Sequence, residues 1–108
     1  MIHLTASTPI LVATEAADFR KGIDGFAALC QQRLGRDPRS GTLFVFINRA
    51  ATMIRLLAYE QNGYWIMTKR LSKGRYRGWP RGADTPITPL AAQHLRQLLT
   101  GLLDSTDD

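Results

Sequence analysis

Residues 42–71 read TLFVFINRAATMIRLLAYEQNGYWIMTKRL, and this stretch decides the fold class. Thr42 to Asn48 is apolar on both of its alternating faces, Leu43, Val45 and Ile47 against Phe44 and Phe46, as in a central strand covered on both sides. Thr52 to Glu60 and Tyr64 to Leu71 follow as two further strands. They are joined by Gln61, Asn62 and Gly63, whose Asn-Gly pair is a strong hairpin signal because both residues tolerate positive φ. Three consecutive strands with short connections predict an antiparallel meander.

Upstream, Pro9 introduces the β-branched run Ile10 to Ala13, a short N-terminal strand. Ile23, Phe26, Ala27, Cys30 and Leu34 then recur at helical spacing, with Asp18 as a candidate N-cap and Gly35 placed to end the helix in the left-handed conformation. Gly22 and Gly25 conflict with it, each costing a helix interior about 1 kcal/mol relative to alanine. Either the helix starts late, near Asp24, or a longer helix packs closely through its glycines. Gly35 to Gly41 is turn chemistry. Past residue 79, Trp79-Pro80 and Thr85-Pro86 mark extended chain. Thr88 suits an N-cap and Pro89 the first helical position of a C-terminal helix, whose stripe is Leu90, Leu95, Leu98, Leu99 and Leu102.

The expected architecture is α+β: a small antiparallel β-sheet, the three-stranded meander plus the N-terminal strand, packed with one helix, and a C-terminal helix. A chain of 108 residues supports one core, so residues 1–103 are read as a single domain. Asp104, Asp107 and Asp108 then mark an acidic tail over 104–108.

Composition narrows the chemistry. The formal charge is +5, which favours a polyanionic partner. A lone cysteine, Cys30, with only His3 and His94, gives no zinc-ligand cluster and no disulfide, pointing to a reducing cytoplasm. No segment approaches the roughly 20 apolar residues of a membrane helix. Neither GxxxxGK[ST] nor GxGxxG after a strand is present, so no nucleotide cofactor or small-molecule substrate is implied. Asp18 and Asp24 lie off one helical face, and Cys30 sits on an apolar one. No catalytic constellation emerges, and the expectation is a protein that is not an enzyme.

What stands out is KRLSKGRYRGW, Lys69 to Trp79. Lys69, Arg70, Lys73, Arg75 and Arg77 crowd two aromatics, and no acidic residue lies between Glu60 and Asp84. Cations that track phosphates beside rings that stack on bases form the mixture of single-strand nucleic-acid sites. Tyr76 is expected to be exposed and able to stack. Trp79 either stacks or seals the core where the loop returns, and the loop half from Tyr76 is expected to order on binding. Arg20 and Lys21, ahead of the first helix, stand where backbone amides favour an anion. Arg55 and Arg70 interrupt apolar strand faces, either snorkelling or joining the same positive surface.

DFRKGIDGFAAL (18–29), LGRDPRSGTLFVFINR (34–49), YEQNGYWIMTKRLSKGRYRGWP (59–80) and ITPLAAQHLRQLL (87–99) together resemble the small TnpB-type, second-reading-frame accessory protein of bacterial insertion sequences of family sixty-six. The resemblance spans nearly the whole chain. It implies a protein encoded beside a separate DDE-type transposase and helping that element to move, with no active site to carry over. The larger RNA-guided nucleases that share the TnpB name are unrelated. The expected function is therefore accessory to DNA transposition. From the clustering of charge, DNA at transposon ends or target is expected to be bound through Arg20, Lys21, Lys69, Arg70, Lys73, Arg75, Tyr76 and Arg77. The alternative is a subunit that bridges or activates the transposase without touching DNA.

Overall fold

A computed structural model describes residue 5 and residues 7–80 and 84–100. Arg81, the acidic tail, Leu102 and His3 lie outside the described residues. The elements are β1 (Ile10–Ala13), α1 (Ile23–Gln32), β2 (Leu43–Ile47), β3 (Met53–Glu60), β4 (Gly63–Arg70), β5 (Ile87–Pro89) and α2 (Ala92–Thr100).

The α+β class stands, but the sheet is larger and differently wired than the expected four-stranded antiparallel one. It has five strands in the order β4-β3-β2-β1-β5. The meander β2-β3-β4 is antiparallel as expected. β1 runs parallel to β2, with Leu11 opposite Phe44, and α1 is the crossover between them. β5 closes the other side of β1 antiparallel, with Thr88 opposite Val12. Thr88 and Pro89 are therefore strand residues rather than helix N-cap and first turn, and α2 begins at Ala92. Proline is accepted there because β5 is an edge strand, where a missing N–H need not break a ladder.

β2 is buried on both faces, which explains its unbroken apolar run. On one face α1 sets Phe26 and Cys30 against Phe44, Phe46 and Leu57. On the other, Leu95 and Leu98 of α2 cover Val12, Val45, Ile54 and Leu56, together with Tyr76 and Trp79. The two faces are called below the α1 face and the α2 face.

The late start of α1 resolves the glycine conflict. Gly22 is the N-cap, extended and with no side-chain cap bond, so Asp18 is not the cap. Gly25 is inside the helix because Lys21 lies across it: a Cβ there would meet the Lys21 Cβ at 2.8 Å. Gly35 takes φ +66 after the helix, as expected. In the β3-β4 hairpin Glu60 pairs with Gly63, so the turn is Gln61-Asn62, and the left-handed residue is Gln61 at φ 60 rather than the Asn-Gly pair.

Candidate nucleic-acid interface

Parallel pairing of β1 and β2 brings both carboxyl ends to one end of the sheet. Carboxyl ends of parallel strands are where binding groups collect in α/β sheets. Three connections meet there: residues 14–22 leading to α1, the β2-β3 turn at 48–52, and the long segment 71–86 leading to β5.

The first connection is fixed from several sides. Ala17 bridges to Asn48, its N–H donating to the Ile47 carbonyl at 2.8 Å. Thr14 Oγ1 donates to the Thr85 carbonyl at 2.8 Å. Arg55 does more than snorkel. From β3 its Nη1 donates to the carbonyls of Phe19 at 3.0 Å and Lys21 at 3.3 Å, and its Nε donates to Thr68 Oγ1 at 2.7 Å. Its guanidinium also lies 4.6 Å from the Phe19 ring centroid and 5.2 Å from that of Phe26. Burial lowers its pKa somewhat from the arginine value. Arg55 is thus a bracket for the segment that presents Arg20 and Lys21, not part of a positive surface.

Arg20 is exposed and paired. Its Nη2 meets Asp18 Oδ2 at 2.8 Å and its Nε meets Oδ1 at 3.0 Å, while its backbone N–H also donates to Oδ1. These bonds hold the Asp18 carboxyl well below the usual carboxylate range. The pair is locally neutral, which reduces what Arg20 offers an outside anion.

The β2-β3 turn is organised by Asn48, whose Oδ1 accepts from the N–H groups of Thr52 and Met53, both at 2.9 Å. Ala51 sits at φ 61. Between this turn and the first connection opens a groove of about 510 Å³ lined by Asp18, Phe19, Arg20, Arg49, Ala50 and Met53 among others. Arg49 also borders a neighbouring cavity of about 260 Å³ beside Glu15 and Arg33, which pair with each other at 3.0 Å. Arg49 is exposed and is the residue that sequence reasoning missed. Its only signal is its place just after the carboxyl end of β2, and that signal gains meaning only once β1 is known to run parallel.

The arm is stapled down rather than loose. The Leu71 N–H donates to the Thr52 carbonyl at 3.0 Å, and the Tyr76 N–H donates to the Ala51 carbonyl at 2.7 Å. Trp79 Nε1 donates to the Ala13 carbonyl at 2.9 Å. Gly74 at φ +80 and Gly78 at φ +68 supply the bends. Tyr76 is 4% exposed and Trp79 7%. The expectation of an exposed, stacking Tyr76 is therefore corrected: its ring belongs to the core under α2, because the bond from its N–H to the Ala51 carbonyl holds it against the sheet while Arg75 and Arg77 on either side stay exposed. Trp79 seals the core. The expected ordering of this half on binding loses its basis, since both rings are already packed.

Of the eight predicted residues, Arg20, Lys21 and Arg70 lie on the α1 face at this end, Arg70 directly across from Met53 of the groove. Lys73, Arg75 and Arg77 are exposed along the arm, tied to the Arg49 turn through Tyr76 and Ala51. Lys69 and Tyr76 do not join them. Lys69, next to Arg70 in a strand, points to the α2 face, where its Nζ donates to the Leu99 carbonyl at 2.8 Å and caps the end of α2.

Among the described residues no group of three or more His, Cys, Asp or Glu side chains could hold a metal ion. No described helix is long and apolar enough to cross a membrane. Cys30 is buried, and its thiol is pushed up to about 12 by that burial. The fold and this end of it define a small mixed-sheet protein that gathers arginine and lysine at the carboxyl ends of its parallel strands.

The family described as IS66 Orf2 like protein matches residues 8–106, and the chain belongs to that family, the accessory products of these insertion sequences. It is also similar to two proteins of Sinorhizobium fredii (strain NBRC 101917 / NGR234), each named only as an uncharacterized protein. To y4jC it is 34% identical over 76 residues, 70% of this chain and 65% of the relative. To y4hO it is 33% identical over 93 residues, 86% of this chain and 79% of the relative. No solved structure matches.

Proposed function

We propose that the chain assists transposition as a non-catalytic, cytoplasmic DNA-binding protein, acting beside a separate transposase of the same element. Lys21, Arg49, Arg70, Lys73, Arg75 and Arg77 neutralise phosphates of transposon-end or target DNA. The observation that carries this reading is the Tyr76-to-Ala51 hydrogen bond, which joins the arm to the turn bearing Arg49. Cations distant in sequence thereby border one end of the sheet. Cations carried on a backbone already held in place lose little loop freedom on binding, so more of their attraction to phosphate appears as affinity. With Tyr76 buried and Lys69 engaged by α2, the interface works by charge and shape rather than by base stacking.

Fluorescence anisotropy of labelled duplex DNA across a salt series tests this. Affinity should fall steeply with salt, with a log-log slope of about −0.9 per phosphate neutralised, and Arg49→Ala with Arg75→Ala should flatten that slope by about 2. No binding at low salt, or a slope unmoved by the double substitution, would overturn the reading in favour of a subunit that contacts only the transposase.

A further inference from the structure

The two edges of the sheet are treated differently. β5 is three residues long and carries Pro89, both devices that keep an edge from pairing. β4 is eight residues long, pairs with β3 through every residue without a bulge, contains no proline, and is uncharged from Gly63 to Thr68. Among the described strands none lies on its outer side. On its α2 face stand Trp65 and Met67, each 41% exposed. The Trp65 ring is held in place, its Nε1 donating to Glu60 Oε1 at 3.1 Å.

We propose that β4 pairs antiparallel with β4 of a second copy of this chain, about a two-fold axis through Ile66, to make a continuous ten-stranded sheet. The strand's own sequence selects this occupant and register. A two-fold axis normal to the sheet keeps the α2 faces of both copies on the same side, so a residue meets one of the same parity. With Ile66 opposite Ile66, Trp65 of each copy meets Met67 of the other, and Tyr64 meets Thr68. Four apolar side chains close over one another on the α2 face, in the cross-strand pairing that stabilises sheets. Sliding by one step toward the strand's end sets Trp65 against Lys69. Sliding the other way sets Met67 against Gly63 and leaves it uncovered. The central register alone covers both Trp65 and Met67 with apolar partners while leaving Lys69 and Arg70 beside the second copy's hairpin turn. A single strand edge with two apolar pairs is at the small end of interface sizes, so the dimer is a dissociable one.

Sedimentation of the full chain across a concentration series should show a monomer–dimer equilibrium with Kd on the order of 10–100 μM. Trp65→Lys with Met67→Lys, both at exposed positions and checked for an unchanged circular dichroism spectrum, should weaken it by at least about tenfold. The register is read by crosslinking. A mixture of Trp65→Cys and Met67→Cys chains should form a disulfide-linked dimer on mild oxidation, whereas either alone should form little, Cys30 being enclosed in both. A chain that stays monomeric at about 1 mM, a dimer indifferent to the two lysines, or a mixture that crosslinks no better than its components would overturn the proposal.

Discussion

Arg55 shows how one side chain serves several needs at once. It interrupts the apolar face of β3 in sequence, yet its five donors suit a cluster of carbonyl and hydroxyl acceptors that an aliphatic side chain would leave unmet. Replacing it by methionine is expected to cost about 1–3 kcal/mol in urea denaturation, because the Phe19 and Lys21 carbonyls lose a charged donor. DNA affinity should fall as well, although the Arg55 donors are engaged by Phe19, Lys21 and Thr68 rather than offered to phosphate. Tyr76 offers the opposite case. Its hydroxyl is buried with no partner among the described residues. Tyr76→Phe should therefore be neutral or stabilising by up to about 1 kcal/mol, while Tyr76→Ala should cost about 3–5 kcal/mol. Cys30 gives a pH signature. Its thiol is raised from 9.0 to about 12 in the fold, so the stability gained by burying it neutral is complete below pH 9 and is lost as the pH climbs toward 12. The slope of stability against pH over that window should be shallower in Cys30→Ala by up to about 1.4 kcal/mol per pH unit. In sequence Tyr76 looks exposed because its neighbours are cations. What buries it is the bond of its N–H to the Ala51 carbonyl and the packing of α2 over its ring, contacts that no local window contains.

At the scale of elements, the strands that carry strong local signals were legible. The hydrophobic alternation of β2, β3 and β4 and the short turn between the last two located the meander to within a residue or so at each end. β5 was not, because three residues carry too little pattern and Thr-Pro reads equally as a helix start. It is a strand through its pairing with Leu11, Val12 and Ala13, which no local window contains. The sequence admits two starts for α1, and Gly22, an uncapped N-cap with open space around it, selects the later one. Its extended backbone admits any residue, and Gly22→Ser should stabilise the protein by a few tenths of a kcal/mol, measured by thermal denaturation. Gly25→Ala should do the reverse despite better helix propensity, since the new methyl displaces the stem of Lys21.

At the scale of the molecule, the candidate interface was half legible. Its cations could be seen, but their sorting could not, since a strand sends neighbours to opposite faces and only the parallel register of β1 on β2 says which end collects the rest. Arg70 and Lys69 make the point: one stands across from Met53 of the groove and the other caps α2. Their alanine variants should therefore separate in two assays. Arg70→Ala should weaken DNA binding in the anisotropy titration with little effect on melting. Lys69→Ala should lower stability by about 0.3–1 kcal/mol and leave the salt slope nearly unchanged.

The order β2-β1-β5 places β1, the first of the described strands, between neighbours that are synthesised later. While the chain grows, β1 can pair with β2 as soon as β2 has emerged behind α1, yet its other edge stays open until residue 89 is made. The α2 face stays uncovered until Leu95 and Leu98 follow. Translation thus releases a half-covered sheet with two unpaired edges, and a chain cut short within the arm would keep its meander while losing β5 and α2. Such fragments should be captured by chaperones or by one another, which makes the arrival of β5 and α2 the timer of this protein's solubility.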